Sequence, residues 1–206
     1  MAWRVLVPIK HSGAAKSRLQ DATRDERTHS RLVHAIQLDT LAAVLAVRTD
    51  PLVAGLSVVA GPLAFVLPPQ IEVLEDAGGG LNAALSVAAV QLAQRFPADG
   101  VVVMVGDLPA LRPADLLAVL AAAQEHPRSF VRDLAGTGTT LLATEAGHWL
   151  QPMFGPDSAR LHQDSGAAEL PAAESVRADV DTAADLAHCL SLGTGPLTAA
   201  LAGQLR

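Results

Sequence analysis

The sequence predicts an α/β fold, a three-layer α/β/α sandwich around a mostly parallel sheet, and three observations carry that expectation. Short apolar runs of strand length alternate with stretches of helical periodicity, the pattern of a sheet covered by helices on both faces. The run Val101-Val102-Val103-Met104-Val105 carries no charge and is rich in β-branched valine, as befits a strand buried on both sides. Half of the 206 residues are hydrophobic and 17% are charged, a balance that supports a substantial core and excludes disorder. A single domain over 1–206 is expected at this length.

Taken in order, residues 3–9 form a first strand, and 10–20 a loop bearing the cations Lys10, Lys16 and Arg18. Thr23-Arg24-Asp25-Glu26 has capping-box spacing, and Ala35, Leu38, Ala42 and Leu45 recur at helical intervals, so a long helix is predicted over 24–47. The uncharged segment 52–71 is interrupted by Gly55, Gly61, Pro62, Pro68 and Pro69. Those breaks exclude a membrane span and leave short strands over 56–60 and 71–74. A helix over 81–95, the valine strand and a helix over 113–125 follow. Pro113 suits the last as its opening residue, since the first turn has no use for an N–H there. Residues 129–132 and 139–143 are predicted as two short strands, Pro156 opens a helix towards His162, and a final strand over 175–180 leads into a helix over 183–192.

Composition excludes several functions. A net charge of −6 without a basic run rules against a nucleic-acid partner. A small anionic substrate stays compatible if positive charge is concentrated locally. Cys189 is the only cysteine, so neither an intramolecular disulfide nor a thiolate metal cage can form, and its surroundings read as helical core. The seven histidines show no H-x-x-x-H or H-E-x-x-H spacing for zinc. Neither a G-x-S-x-G elbow nor a G-x-x-x-x-G-K-[ST] loop is present. Arg4 and Lys10 bracket an apolar stretch too short for a signal peptide, so a cytoplasmic protein with no membrane partner is expected.

The candidate chemistry sits where strands end. Asp107 closes the valine strand, and ligands of open α/β sheets gather outside such carboxyl ends, so it reads either as a metal or substrate ligand or as a cap of the next helix. Asp179-Val180-Asp181 ends the predicted last strand and admits the same two readings. If the two strands are neighbours, these acids could hold a magnesium ion, which prefers oxygen ligands. Gly78-Gly79-Gly80-Leu81-Asn82-Ala83 stands directly before a helix and satisfies G-x-G-x-x-A, which leaves a dinucleotide site, another close backbone approach to a ligand, and a plain turn all open. Gly136-Thr137-Gly138-Thr139-Thr140 and Phe154-Gly155-Pro156-Asp157-Ser158 are candidate anion-binding segments, or turns.

Val7-Pro8-Ile9-Lys10, Ala14-Ala15-Lys16-Ser17-Arg18-Leu19, Gly79-Gly80-Leu81-Asn82-Ala83-Ala84, Gly106-Asp107-Leu108-Pro109-Ala110-Leu111, Gly136-Thr137-Gly138-Thr139-Thr140, Phe154-Gly155, Ser158-Ala159 and Asp179-Val180-Asp181-Thr182 occur in this order over nearly the whole chain. Together they resemble the phosphoenolpyruvate or 2-phospho-L-lactate guanylyltransferases of coenzyme F-420 biosynthesis, within the nucleotide-diphospho-sugar-transferase-like superfamily. The resemblance implies a Rossmann-like nucleotidyltransferase fold and transfer of GMP from GTP to a phosphorylated three-carbon acid, leaving phosphoenolpyruvate, 2-phospholactate and 3-phosphoglycerate open. It implies Mg2+ on Asp107 and Asp181 with Asp179 as helper, and Lys16 as a catalytic cation supported by Lys10 and Arg18 at the triphosphate. Gly79, Gly80 and Asn82 would lie against the guanosine, and Thr140, Gly155 and Ser158 would hold the acceptor. Two positions depart from the family pattern: Ala183 stands where proline is usual, and Asp157 where glycine is frequent, which adds a negative charge beside the acceptor segment. The other readings are a molybdopterin-type guanylyltransferase, whose glycine-rich first loop is missing from 10–19, an oxidoreductase holding NAD on Gly78–Ala83, and a GTP-binding module without catalysis.

Overall fold

The computed structural model describes residues 1–9, 19, 23, 25–63 and 65–203. Along it run β1 (Trp3–Ile9), α1 (Glu26–Ala46), β2 (Val53–Ala60), β3 (Glu72–Glu75), α2 (Leu81–Arg95), β4 (Gly100–Met104) and α3 (Pro113–Ala123). Then follow β5 (Arg128–Arg132), β6 (Thr139–Thr144), α4 (Ser158–Asp164), β7 (Ala168–Glu169), α5 (Glu174–Arg177), α6 (Ala183–Leu192) and α7 (Pro196–Ala202). The strands share one seven-stranded sheet in the order β3-β2-β1-β4-β6-β5-β7. β1, β2, β3 and β4 pair in parallel, as do β5 and β7, while β6 runs antiparallel to both of its neighbours.

Alternation along β1 divides the core. Trp3, Val5, Val7 and Ile9 pack with α1 and α3, whereas Leu6 packs on the other face with α2 and Ala159 of α4. The period of two along a strand produces these two faces, and the helices close them into three layers. Trp3 is fully buried and its indole N–H donates to the Leu120 carbonyl at 2.8 Å, which ties β1 to α3. A third apolar cluster joins Leu32, Val33 and Ile36 of α1 to Val180, Leu186 and Cys189, so the cysteine is core, as expected.

Several local expectations are corrected. The segment 175–180 is not a strand: its first residues form the short helix α5, because the β5 edge is already paired by β7, an element the sequence did not announce. Arg177 instead docks on the β5–β6 turn, donating to the carbonyls of Arg132 and Asp133 at 3.1 Å each. The cap of α1 is Asp25, which accepts from the Thr28 amide at 2.7 Å, rather than Thr23. α4 starts at Ser158 and leaves Pro156 outside, because Asp157 takes a left-handed conformation with φ 56°. The unanticipated α7 is fastened to α1 by Asp39, which accepts from the amides of Leu197 and Thr198 at 3.2 and 2.7 Å.

Candidate active site

The sheet order places β1 beside β4, and the carboxyl end of β4 is where Asp107 stands. Gly106 makes the approach feasible, since a Cβ there would lie 3.1 Å from the Pro8 carbonyl and 3.2 Å from Val7 Cγ1. Beyond β4, the Val105 amide donates to the Thr140 carbonyl at 2.9 Å and so brings the first acceptor candidate alongside. The main chain at Asp107 is held from two sides. The Val180 amide donates to the Asp107 carbonyl at 3.1 Å, and the Leu108 amide donates to Thr40 Oγ1 at 3.0 Å.

That first bond lays the 179–181 segment against the end of β4. One carboxylate oxygen each from Asp107, Asp179 and Asp181 lies within 4.8 Å of the others. The expectation of two strand-end acids is therefore corrected in one respect: Asp107 ends a strand, while Asp179 and Asp181 sit on the connection between α5 and α6. Capping of α6 falls to Thr182 and Asp185, whose side chains form a reciprocal box, and Asp185 also accepts from the Asp181 amide at 3.2 Å. A small cavity of about 140 Å³ opens beside the acids, against Asp133 and His188. An all-carboxylate donor set suits a hard divalent cation such as Mg2+ or Mn2+, whose octahedral shell puts opposite oxygens roughly 4 Å apart.

The glycine turn and the acceptor segment also meet. Gly78, Gly79 and Gly80 all have positive φ, 78°, 77° and 91°, which glycine alone adopts at no steric cost. The turn follows β3, the edge strand, and so lies away from the central crevice where a dinucleotide fingerprint would belong. Asn82 spends its side-chain amide on the neighbouring loop: Nδ2 donates to the Phe154 carbonyl at 2.9 Å, and Oδ1 accepts from the Phe154 amide at 2.8 Å. A second anchor is His162, whose Nε2 accepts from the Met153 amide at 2.9 Å while Nδ1 lies 2.9 Å from Thr139 Oγ1. Burial, and then the nearby Arg128 guanidinium, push the His162 pKa down to about 4, so the ring is neutral near pH 7.

Gly155 is exposed, whereas Ser158 and Thr140 are buried, with the Thr140 hydroxyl lacking a hydrogen-bond partner among the described residues. In the Gly136–Thr140 segment, the amides of Thr137 and Gly138 are taken by Asp133 at 2.9 and 2.8 Å, so they do not form an anion cradle. Lys10, Lys16 and Arg18 lie outside the described residues. Thr40, Asp133 and His162 escaped the sequence reading. Asp133 left a faint signal, a short acidic side chain just ahead of a glycine turn, and the other two left none. A larger cavity of about 710 Å³, between α2 and the 145–152 loop, contains none of the predicted site residues that are among the described ones.

The fold and its carboxylate cluster define a nucleotidyltransferase-type α/β enzyme. A Desulfovibrio desulfuricans crystal structure described as a nucleotide-diphospho-sugar transferase is similar over 100% of this chain and 99% of that one, with 19% identity and a TM-score of 0.66. A Mycobacterium tuberculosis protein crystallised with manganese shares the fold at 22% identity and a TM-score of 0.54, over 93% of this chain and 100% of that one. No protein-family model matches. Among curated proteins, the phosphoenolpyruvate guanylyltransferase of Streptomyces coelicolor is 47% identical over 100% of this chain and 98% of its own length. That of Streptomyces avermitilis is 48% identical over 100% of this chain and 96% of its own. The chain belongs to the phosphoenolpyruvate guanylyltransferase family.

Proposed function

We propose that this enzyme transfers GMP from GTP to the phosphate of phosphoenolpyruvate, with release of pyrophosphate, in the assembly of coenzyme F-420. The observation that carries the reading is the convergence of Asp107, Asp179 and Asp181, distant in sequence, on one point at the end of β4. The full-length relationship to phosphoenolpyruvate guanylyltransferases supports the choice of nucleotide and acceptor.

In the reaction, an acceptor phosphate oxygen attacks the α-phosphorus of GTP in line, a P–O bond forms there, and the bond to the β-phosphate bridging oxygen breaks. The second pKa of a phosphate monoester is near ~6, so the nucleophile is already dianionic at neutral pH and needs no strong base. This fits a site that, among the described residues, is built of acids and backbone without a Ser/His/Asp arrangement. Asp107 and Asp181, with Asp179 as helper, would hold Mg2+. The cation would neutralise phosphate charge when bound. Lys16, with Lys10 and Arg18, balances the charge that builds on departing pyrophosphate. The backbone of Gly79, Gly80 and Asn82 borders the guanosine, and Thr140, Gly155 and Ser158 hold the carboxylate and phosphate of the acceptor.

The test mixes enzyme, Mg2+ and GTP with phosphoenolpyruvate, 2-phospholactate or 3-phosphoglycerate and follows pyrophosphate. Phosphoenolpyruvate is expected to give the highest kcat/KM. Asp107→Asn and Asp181→Asn are expected to abolish turnover with the circular dichroism spectrum unchanged. Near-normal turnover in both variants removes the metal assignment.

A further inference from the structure

Asn82 joins the two halves of the site, and we propose that it acts as a positioning residue that couples nucleotide binding to acceptor binding. The inference rests on the reading of GTP and phosphoenolpyruvate as the two substrates. Asn82 lies in the first turn of α2, directly after the glycine turn. Its side-chain amide forms a closed pair of hydrogen bonds with the main chain of Phe154, at 2.9 and 2.8 Å. A paired donor and acceptor on one planar amide fixes the orientation of the Phe154 main chain as well as its distance. Phe154 directly precedes Gly155, so the orientation so fixed is that of the acceptor segment.

The other anchors of the segment belong to the acceptor side. Met153 is held by His162, and the Phe154 ring packs edge-on against the same imidazole at 5.4 Å between centroids. The Ala159 amide donates to the Thr137 carbonyl at 3.1 Å, within the same β6 side of the molecule. Among the described residues, both hydrogen bonds that join α2 to this segment come from Asn82. Gly78, Gly79 and Gly80 take positive φ values that glycine reaches at no steric cost, and in this proposal nucleotide contact is what fixes them. Once α2 and its turn are set by the nucleotide, Asn82 presents Phe154 and Gly155 in the conformation that receives the three-carbon acid. Ordering one segment lowers the cost of ordering the other, and linkage makes the effect reciprocal. A side chain serving in this way discriminates neither the base nor the acid; it sets how strongly each reports on the other.

The experiment measures phosphoenolpyruvate affinity by calorimetry, with and without a saturating GTP analogue that carries a methylene group in place of the α–β bridging oxygen, in the presence of Mg2+. In the wild type the analogue is expected to tighten phosphoenolpyruvate binding about 5-fold or more, within the usual range of coupling between sites. In Asn82→Ala the factor falls to near one, whatever the change in either affinity measured alone. Asn82→Asp keeps an acceptor for the Phe154 amide but turns a second oxygen against the Phe154 carbonyl, and its charge suits a helix N-terminus, so α2 is retained. Its coupling factor is expected to fall as well. A wild-type factor in either variant, or no coupling in the wild type, overturns the inference. Failure of the wild type to release pyrophosphate from GTP and phosphoenolpyruvate overturns instead the reading beneath it.

Discussion

Replacing Thr40 by valine tests whether α1 holds Asp107, the proposed metal ligand, in place. Thr40 is fully buried, donates to the Ile36 carbonyl at 2.9 Å, and accepts from the Leu108 amide at 3.0 Å. Valine keeps the shape and loses both bonds. The loss at Ile36 is mild, because that carbonyl remains the acceptor of the helical N–H four residues on. The loss at Leu108 is not, since a buried donor left without an acceptor costs about 1–3 kcal/mol. Taking about 2 kcal/mol as the centre, thermal melts should show Tm lowered by about 4–8 °C for a domain of this size. The stranded amide belongs to the residue after Asp107, so the carboxylate should lose its fixed position as well. Mn2+ affinity, read by paramagnetic resonance, is expected to fall about 5–10-fold, equivalent to about 1–1.4 kcal/mol. KM for GTP extrapolated to saturating metal should stay unchanged, and Thr40→Ser should recover the affinity. Wild-type Mn2+ affinity in a Thr40→Val protein of lowered Tm refutes the proposed link to Asp107. An unchanged Tm refutes the hydrogen-bond argument itself.

His162 gives the fold a pH dependence. Its folded pKa of about 4 lies below the unfolded value near ~6.5, so the unfolded chain takes up the proton first and stability is lost as pH falls through that interval, by roughly 3 kcal/mol in all and about 2 kcal/mol by pH 5. Denaturant midpoints at pH 7.5 and 5 should show the loss in the wild type and a smaller one in His162→Gln; equal losses would remove the assignment. Ser158→Ala should raise KM for the acceptor about 2–10-fold, the worth of one neutral hydrogen bond, with KM for GTP unchanged, and an unaltered acceptor KM contradicts its role. Asp157→Gly should relieve a left-handed backbone at φ 56°, by up to about 1 kcal/mol, and remove a charge beside the acceptor segment. A raised denaturant midpoint and a lowered acceptor KM are the expected outcomes, and a raised KM would show that the carboxylate assists binding.

Strong periodicity was legible, and contacts between distant segments were not. α2 and α6 begin and end at the predicted limits, 81–95 and 183–192, and β1 matches its own. The alternation of Val176, Ala178 and Val180 resembles a strand, yet the β5 edge is taken by β7, and the segment forms a short helix and a connection instead. Asp157 shows how a departure becomes intelligible: the position needs a left-handed conformation, which glycine adopts readily and aspartate tolerates. The roles of Asn82 and Thr40 left no local trace, since each partner lies about seventy residues away, 72 for Phe154 and 68 for Leu108. Asp107 was conspicuous because a charge ends an apolar run. Asp179 and Asp181 were expected at the end of a strand and stand instead on the connection between α5 and α6, beside Asp107.

That mismatch explains how the acid cluster is built. A strand would have fixed Asp179 and Asp181 through ladder hydrogen bonds, whereas a connection between two helices needs other restraints. The structure provides three: the Val180 amide on the Asp107 carbonyl, the burial of Val180 with Leu186 and Cys189 beneath α1, and the grip of Arg177 on the β5–β6 turn. One carboxylate oxygen from each acid lies within 4.8 Å of the others, a spacing that suits the oxygen ligands of a hard divalent cation. With the cap of α6 supplied by Thr182 and Asp185, the backbone-imposed proximity of the three acids is the observation on which the proposed cation site rests.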